Sequence, residues 1–171
     1  MENMKTLHIV GFKNSGKTTL IAGWVRLLKE VGLSVAVLKH HGHHTPLDMP
    51  NSKTDTMQFF ESGADVSVVV VAGAVQLHMN EEPDFARMKE IAKIGNPDVL
   101  LIEGYKDEPG KKVVLLRSEE DWEVLQSLID IQLVVGNVEI EAAYTKVNSR
   151  SAKELDNWFL NWVKEKNDET I

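Results

Sequence analysis

The stretch GFKNSGKTTL, residues 11–20, limits the fold more than any other part of the chain. Gly11, Gly16, Lys17 and Thr18 satisfy the pattern G-x-x-x-x-G-K-[ST]. A loop of this kind works in one setting. Its backbone N–H groups must converge on an anion, so glycines stand where the chain turns too tightly for a Cβ. A helix must start directly after it, adding partial positive charge. An apolar strand must lead into it. TLHIVG (6–11) is short, apolar and β-rich, and KTTLIAGWVRLLKEVG (17–32) places Leu20, Trp24, Leu27, Leu28 and Val31 at helical spacing before Gly32. Lys17 then sets a compact cation by the β- and γ-phosphates, and Thr18 offers a hydroxyl to Mg²⁺. Asn14 and Ser15 lie within the cradle, and Thr19 sits near the α-phosphate. Lys13 reads as an exposed lysine. The extra lysine of one ATPase class would fall at position 12, which is Phe12.

The remainder alternates between strand-like and helix-like stretches. SVAVLK (34–39) is a second strand, followed by an irregular polar loop at 40–54. DTMQFFESG (55–63) is a short helix, VSVVVVAG (66–73) a buried strand, and DFARMKEIAKIG (84–95) a helix behind Pro83. DVLLIEG (98–104), KKVVLLR (111–117) and IQLVV (131–135) are strands. SEEDWEVLQSL (118–128) opens with Ser118 and Asp121 in capping-box spacing, and SAKELDNWFLNWVKEK (151–166) opens with Ser151 and Glu154. In that last helix Ala152, Leu155, Phe159, Trp162 and Val163 form one apolar stripe, and helical spacing assigns Trp158 and Trp162 to core packing. Apolar strands separated by helices predict a mostly parallel sheet covered on both faces, a single three-layer α/β domain over 1–171. Ligands in such folds bind beyond the carboxyl ends of the strands, so residues there carry the most weight.

Composition narrows the function. A net charge of −7 argues against a general nucleic-acid binder. The absence of cysteine excludes disulfides and thiolate metal sites, and fits the cytoplasm. No signal-peptide pattern opens the chain, and the longest apolar runs, such as VSVVVVAGAV, are too short to span a bilayer.

A phosphate loop that uses Mg²⁺ needs a carboxylate at a neighbouring strand end. Glu103 fills that place at the end of DVLLIEG, where it can hold a metal-bound water or polarise an attacking one; Asp98, at the other end of the strand, is discounted. The strand SVAVLK leads into KHHGHHTPLDMP, which puts Lys39, four histidines and Asp48 beside the loop. Asp48 can reach Mg²⁺ or its waters. His40, His41, His43 and His44 could hold a transition metal, but their spacing in a Pro-flanked loop fixes no geometry. Phosphate, pterin or partner contacts suit them better.

GFKNSGKTTL, LKHHGHH with Asp48, TDT…ESGAD and DVLLIEGYK together resemble the molybdopterin-guanine dinucleotide biosynthesis protein B family, over residues 5 to about 117. IEGYK and KHHGHH are not general features of phosphate loops. The resemblance implies a P-loop NTPase fold, binding of GTP with Mg²⁺, and at most slow GTPase activity. It implies action beside the guanylyltransferase that joins GMP to molybdopterin, and a homodimer. Carried over by position, Gly11 to Thr19 hold the triphosphate, Asp48 and Glu103 serve Mg²⁺ or the attacking water, and Lys39, His40 and Asp55 share that surface. PNSKTD at 50–55 departs from the family's glycine-containing loop and leaves Lys53 unassigned. Guanine is weakly marked: TKVN (145–148), ending in Asn148, and GNVE (136–139), with Asn137 and Glu139, are alternatives. Two other functions compete, a small-molecule kinase and a non-catalytic nucleotide-dependent adaptor. Only Arg26, Arg87, Arg117 and Arg150 exist to furnish a kinase lid.

Overall fold

A computed structural model describes residues 4–40, 48–81, 83–140 and 144–165. In chain order the elements are β1 (Lys5–Val10), α1 (Lys17–Glu30), β2 (Val35–Lys39), α2 (Asp55–Glu61), β3 (Val66–Val71), β4 (Ala74–Met79), α3 (Phe85–Ala92), β5 (Val99–Glu103), β6 (Lys112–Leu115), α4 (Glu119–Leu125), β7 (Ile131–Val135), β8 (Lys146–Val147) and α5 (Ala152–Lys164). The described residues gather into two compact units, one from 1–42 with 89–171 and one from 43–88.

The first unit is built on a six-stranded sheet in the order β2-β5-β1-β6-β7-β8, with every neighbouring pair parallel. Its central strand, β1, runs from Lys5↔Val99 to Ile9↔Glu103 against β5 and pairs with β6 on its other edge. The chain goes from β1 to β2 on one side and later adds β6, β7 and β8 on the other. The order therefore reverses at β1, and a crevice opens beyond its carboxyl end. Side chains alternate across the strands. Leu7 and Ile9 face a core with Ile21, Trp24 and Leu28 of α1 and Leu155, Phe159 and Trp162 of α5. Trp24 stacks on Phe159 at 4.2 Å between ring centroids, and Phe159 on Trp162 at 5.9 Å, so the aromatic stripe of α5 is core as its spacing predicts. On the opposite face Val10, Val114 and Val134 pack with Leu125 of α4. Helices on both faces make the expected three layers. Two local expectations fail. Val31 is 51% exposed beyond the end of α1. Neither Ser118 nor Ser151 makes a side-chain cap hydrogen bond, and at Ser118 the expected partner Asp121 binds Arg117 instead.

The second unit contains α2 and an antiparallel hairpin of β3 and β4. Its two-residue turn, Ala72-Gly73, has φ of 38° and 89°, both positive as a type I′ turn requires. The apolar run at 66–73 predicts a buried strand, and the structure corrects this. Val66, Val68, Val70 and Val71 are 49–69% exposed, while Ser67 is buried and donates from Oγ to the Thr56 carbonyl at 3.0 Å. A lone hairpin has two faces; the face carrying Ser67 turns toward α2 and the valine face opens outward. Uniform hydrophobicity gave no alternation from which to read this. AVQLHM, the β4 segment, was not expected as a strand; Gln76 and His78 interrupt its apolar pattern.

Candidate phosphate site

The site is built in the first unit, where the chain leaves β1. Gly11 has φ 153°, and a Cβ there would lie 2.7 Å from both the Leu115 carbonyl oxygen and the Ser15 hydroxyl. No other residue type fits that turn. Asn14 has φ 64° and Gly16, the N-cap of α1, has φ 93°. The first turn of α1 holds no acidic residue, and Gly16 supplies no side-chain cap. The positive helix end is thus open to an external anion. The Ser15 hydroxyl is buried without a hydrogen-bond partner. Lys17 folds back to donate from Nζ to the carbonyls of Gly11 at 2.9 Å and Phe12 at 2.7 Å. Burial pushes its ammonium down from the ordinary value; Glu103 opposes that shift, and Lys39 and Arg117 add to it. A cation held only by loop carbonyls, an unsatisfied hydroxyl and an uncapped helix start are what a phosphate would complete.

Glu103 stands where β5 ends, one strand from the loop, and is 9% exposed. Its Oε2 accepts from the Thr18 hydroxyl at 3.1 Å, and its Oε1 lies 3.4 Å from Lys39 Nζ at the end of β2. The β1–β5–β2 pairing brings these groups together, with Ile9↔Glu103 and Lys39↔Glu103 in register. Residues Lys13 to Thr19, with Lys39 and Glu103, line a cavity of about 350 Å³. The Thr18 hydroxyl and the Glu103 carboxylate are hard oxygen donors and fit Mg²⁺, which bridges such groups to substrate phosphates. His40 N–H donates to the Glu103 carbonyl at 3.0 Å, and its ring lies 4.6 Å from that of Tyr105.

Asp48 and Asp55 belong to the second unit, where both are exposed and Asp55 opens α2. His41, His43 and His44 fall outside the described residues, and so does any metal reading of the four-histidine loop. Among the described residues no three His, Cys, Asp or Glu side chains converge as a metal cluster. The two guanine candidates meet at the paired ends of β7 and β8. Ser149 Oγ donates to Asn137 Oδ1 at 3.2 Å, and Arg150 N–H donates to Asn148 Oδ1 at 2.9 Å. Lys146 Nζ also donates to the Val138 carbonyl, tying the 136–140 segment to β8.

Arg117 and Asp121 were missed. Arg117 follows β6 and forms a two-pronged ion pair with Asp121, Nε to Oδ2 at 2.8 Å and Nη2 to Oδ1 at 2.7 Å. Its Nη1 donates to the Lys13 carbonyl at 3.0 Å. The strand-end rule that selects Glu103 also selects Arg117; the capping-box pattern pointed Asp121 elsewhere.

These features define a P-loop nucleotide-binding protein of the α/β class. The family model described as molybdopterin guanine dinucleotide synthesis protein B matches residues 6–137. A probable molybdopterin-guanine dinucleotide biosynthesis adapter protein of Bacillus subtilis is 40% identical over 128 residues, 75% of this chain and 74% of that protein. The crystal structure of Bacillus subtilis MobB superposes with a TM-score of 0.78 at 31% identity, covering 91% of this chain and 96% of that one. A MobB homologue from Bacillus stearothermophilus gives 0.76 at 32% identity, covering 92% and 97%. The chain belongs to the molybdopterin guanine dinucleotide synthesis protein B family.

Proposed function

We propose that the chain is a GTP-binding accessory protein of molybdopterin guanine dinucleotide synthesis. It works in the cytoplasm beside the guanylyltransferase that joins GMP to molybdopterin, as one P-loop domain over 1–171 and as a homodimer. The accessory role follows from family membership. One observation carries the nucleotide reading: the loop and α1 start present Lys17, open backbone donors and the Thr18–Glu103 pair at the point where strand order reverses.

In this reading Lys17 leaves the carbonyls of Gly11 and Phe12 for the β- and γ-phosphate oxygens. The N–H groups of Asn14 and of Gly16 to Thr19 donate to the phosphates, and Lys39 adds a second cation. Thr18 and Glu103 would hold Mg²⁺, and the ion would supply charge neutralisation for the triphosphate there. Glu103, beside the Thr18 hydroxyl, accepts a hydrogen bond from the attacking water. His40, next to Lys39 in the chain, belongs to the same functional surface, as the family resemblance implies. Hydrolysis is slow at most, because the Arg117 guanidinium is committed to Asp121 and Lys13 rather than to a transferring phosphoryl group. That commitment also weighs against a kinase. The homodimer is supported by the row of exposed valines on β3 and β4.

The test is calorimetric titration of GTP and of ATP with Mg²⁺, with and without purified transferase. Tighter binding of GTP, strengthened by the transferase, is expected. Equal affinity for both nucleotides would overturn the guanine assignment.

A further inference from the structure

Arg117 lies two residues beyond β6. Its fork grips Asp121 with two prongs, and the Arg117 backbone N–H also donates to Asp121 Oδ2 at 2.9 Å. The Asp121 side chain is 5% exposed and the Arg117 side chain 45% exposed, so the anchor is inside and the arm reaches outward. The arm ends on the phosphate loop at two places. Nη1 donates to the Lys13 carbonyl at 3.0 Å, and the guanidinium lies 5.4 Å from the centre of the Phe12 ring.

The peptide plane makes this contact directional. In a trans peptide the carbonyl of one residue and the N–H of the next point in opposite directions. The chain has no cis peptide among the described residues. Holding the Lys13 oxygen on Arg117 therefore turns the Asn14 N–H the other way, and Asn14 lines the cavity beside Lys17. Asn14 has φ 64°, a left-handed conformation that a non-glycine residue adopts at a cost and keeps only when its surroundings hold it. The loop also makes one short internal bond here, Ser15 N–H to the Phe12 carbonyl at 3.3 Å.

We propose that Arg117, anchored by Asp121, is a positioning residue for the phosphate loop: it fixes the Lys13–Asn14 peptide so that the Asn14 N–H faces the bound phosphate. The proposal rests on the phosphate-binding reading above. It assigns Arg117 no contact with the nucleotide. Nε, Nη1 and Nη2 each hold an anchor or loop oxygen, so it acts through the backbone. Lysine cannot replace it, because one ammonium on a flexible stem cannot span a carboxylate and a carbonyl in fixed geometry.

The test uses the full chain labelled with ¹⁵N, in wild type and in Arg117→Met, Arg117→Lys and Asp121→Asn. In the nucleotide-free protein each variant should move the Asn14 amide resonance and speed its hydrogen exchange, while Ile21 to Leu28 on α1 stay put. Affinity for inorganic tripolyphosphate and for GTP should fall roughly tenfold or more. Arg117→Lys should resemble Arg117→Met, and the Arg117→Met/Asp121→Asn double variant should be no worse than either single change. An unmoved Asn14 amide with wild-type tripolyphosphate affinity in Arg117→Met overturns the proposal. If Arg117→Met does not fold, Asp121→Asn is judged by the same two readouts. Wild-type binding of tripolyphosphate without preference for GTP over ATP defeats the guanine assignment and leaves the brace standing. If the wild type binds neither, the Asn14 amide decides alone.

Discussion

Strands β5 and β3 use nearly the same alphabet, VLLIE and VSVVVV, and end in opposite environments. Every residue of β5 is buried, because β1 and β2 flank it in a sheet covered on both faces. In β3 only Ser67 is buried, because among the described residues the hairpin is a sheet of two strands alone, without the flanking strands that β5 has. The difference is one of neighbours. β5 carries its charge, Glu103, at the carboxyl end, where the sheet delivers it to Thr18 and Lys39. β3 carries no such group and presents valines. One strand thus organises a chemical site and the other a surface suited to association.

The largest effect should come from the core behind β1 and β5. Phe159→Ala removes a fully buried ring stacked on Trp24 and should cost about 3–5 kcal/mol, read as a fall in the denaturation midpoint. An unchanged midpoint would mean that α5 is not part of that core. Glu103→Gln should come next. It keeps the shape of the side chain and removes its charge, so GTP hydrolysis should slow by roughly tenfold or more while nucleotide affinity falls less. Equal losses in both would mark Glu103 as structural.

A smaller effect concerns acid. Hydrogen bonding from Arg117 holds the Asp121 carboxyl below its ordinary 3.8, against the opposing pull of burial. A carboxyl lowered by folding contributes stability that is present above its unfolded value and is lost as pH falls through the lower folded value. Wild type should therefore exceed Asp121→Asn in stability near neutral pH, and the gap should close below about pH 3.8. A gap that persists undiminished at pH 2 would show that the ion pair is not its source. The smallest effect belongs to the hairpin. Val70 is 69% exposed, and Val70→Thr should change monomer stability by less than about 0.5 kcal/mol. Under the homodimer reading it should weaken self-association instead, measured by sedimentation across a range of concentrations. A large loss of monomer stability would mean that the valine face is packed within the chain.

Much of the first unit was legible because its signals are local and mutually consistent. The glycine pattern, the strand before it and the amphipathic helix after it all require each other, and parallel strands buried on both faces read as continuous apolar runs. Glu103 was legible from its place at a strand end. The hairpin was not, because VSVVVV looks the same whether one face or both are covered. Asp121 was misread because a residue three positions after Ser118 satisfies a capping pattern, while its actual partner, Arg117, lies just outside that pattern, four residues before it. Arg117 itself carried a positional signal but no motif. The candidates for base recognition stayed open because Asn137 and Asn148 sit on separate segments that only the pairing of β7 with β8 brings together.

If β5 organises a nucleotide site, Lys17 in the loop beside Glu103 is its main cation. Isothermal titration of Mg²⁺-GTP into wild type and Lys17→Ala, with circular dichroism on both, tests that most directly. Removing the Lys17 ammonium should lower affinity by roughly a hundredfold or more and leave the spectrum unchanged. Retained affinity in a folded Lys17→Ala protein would place the nucleotide elsewhere and contradict the account.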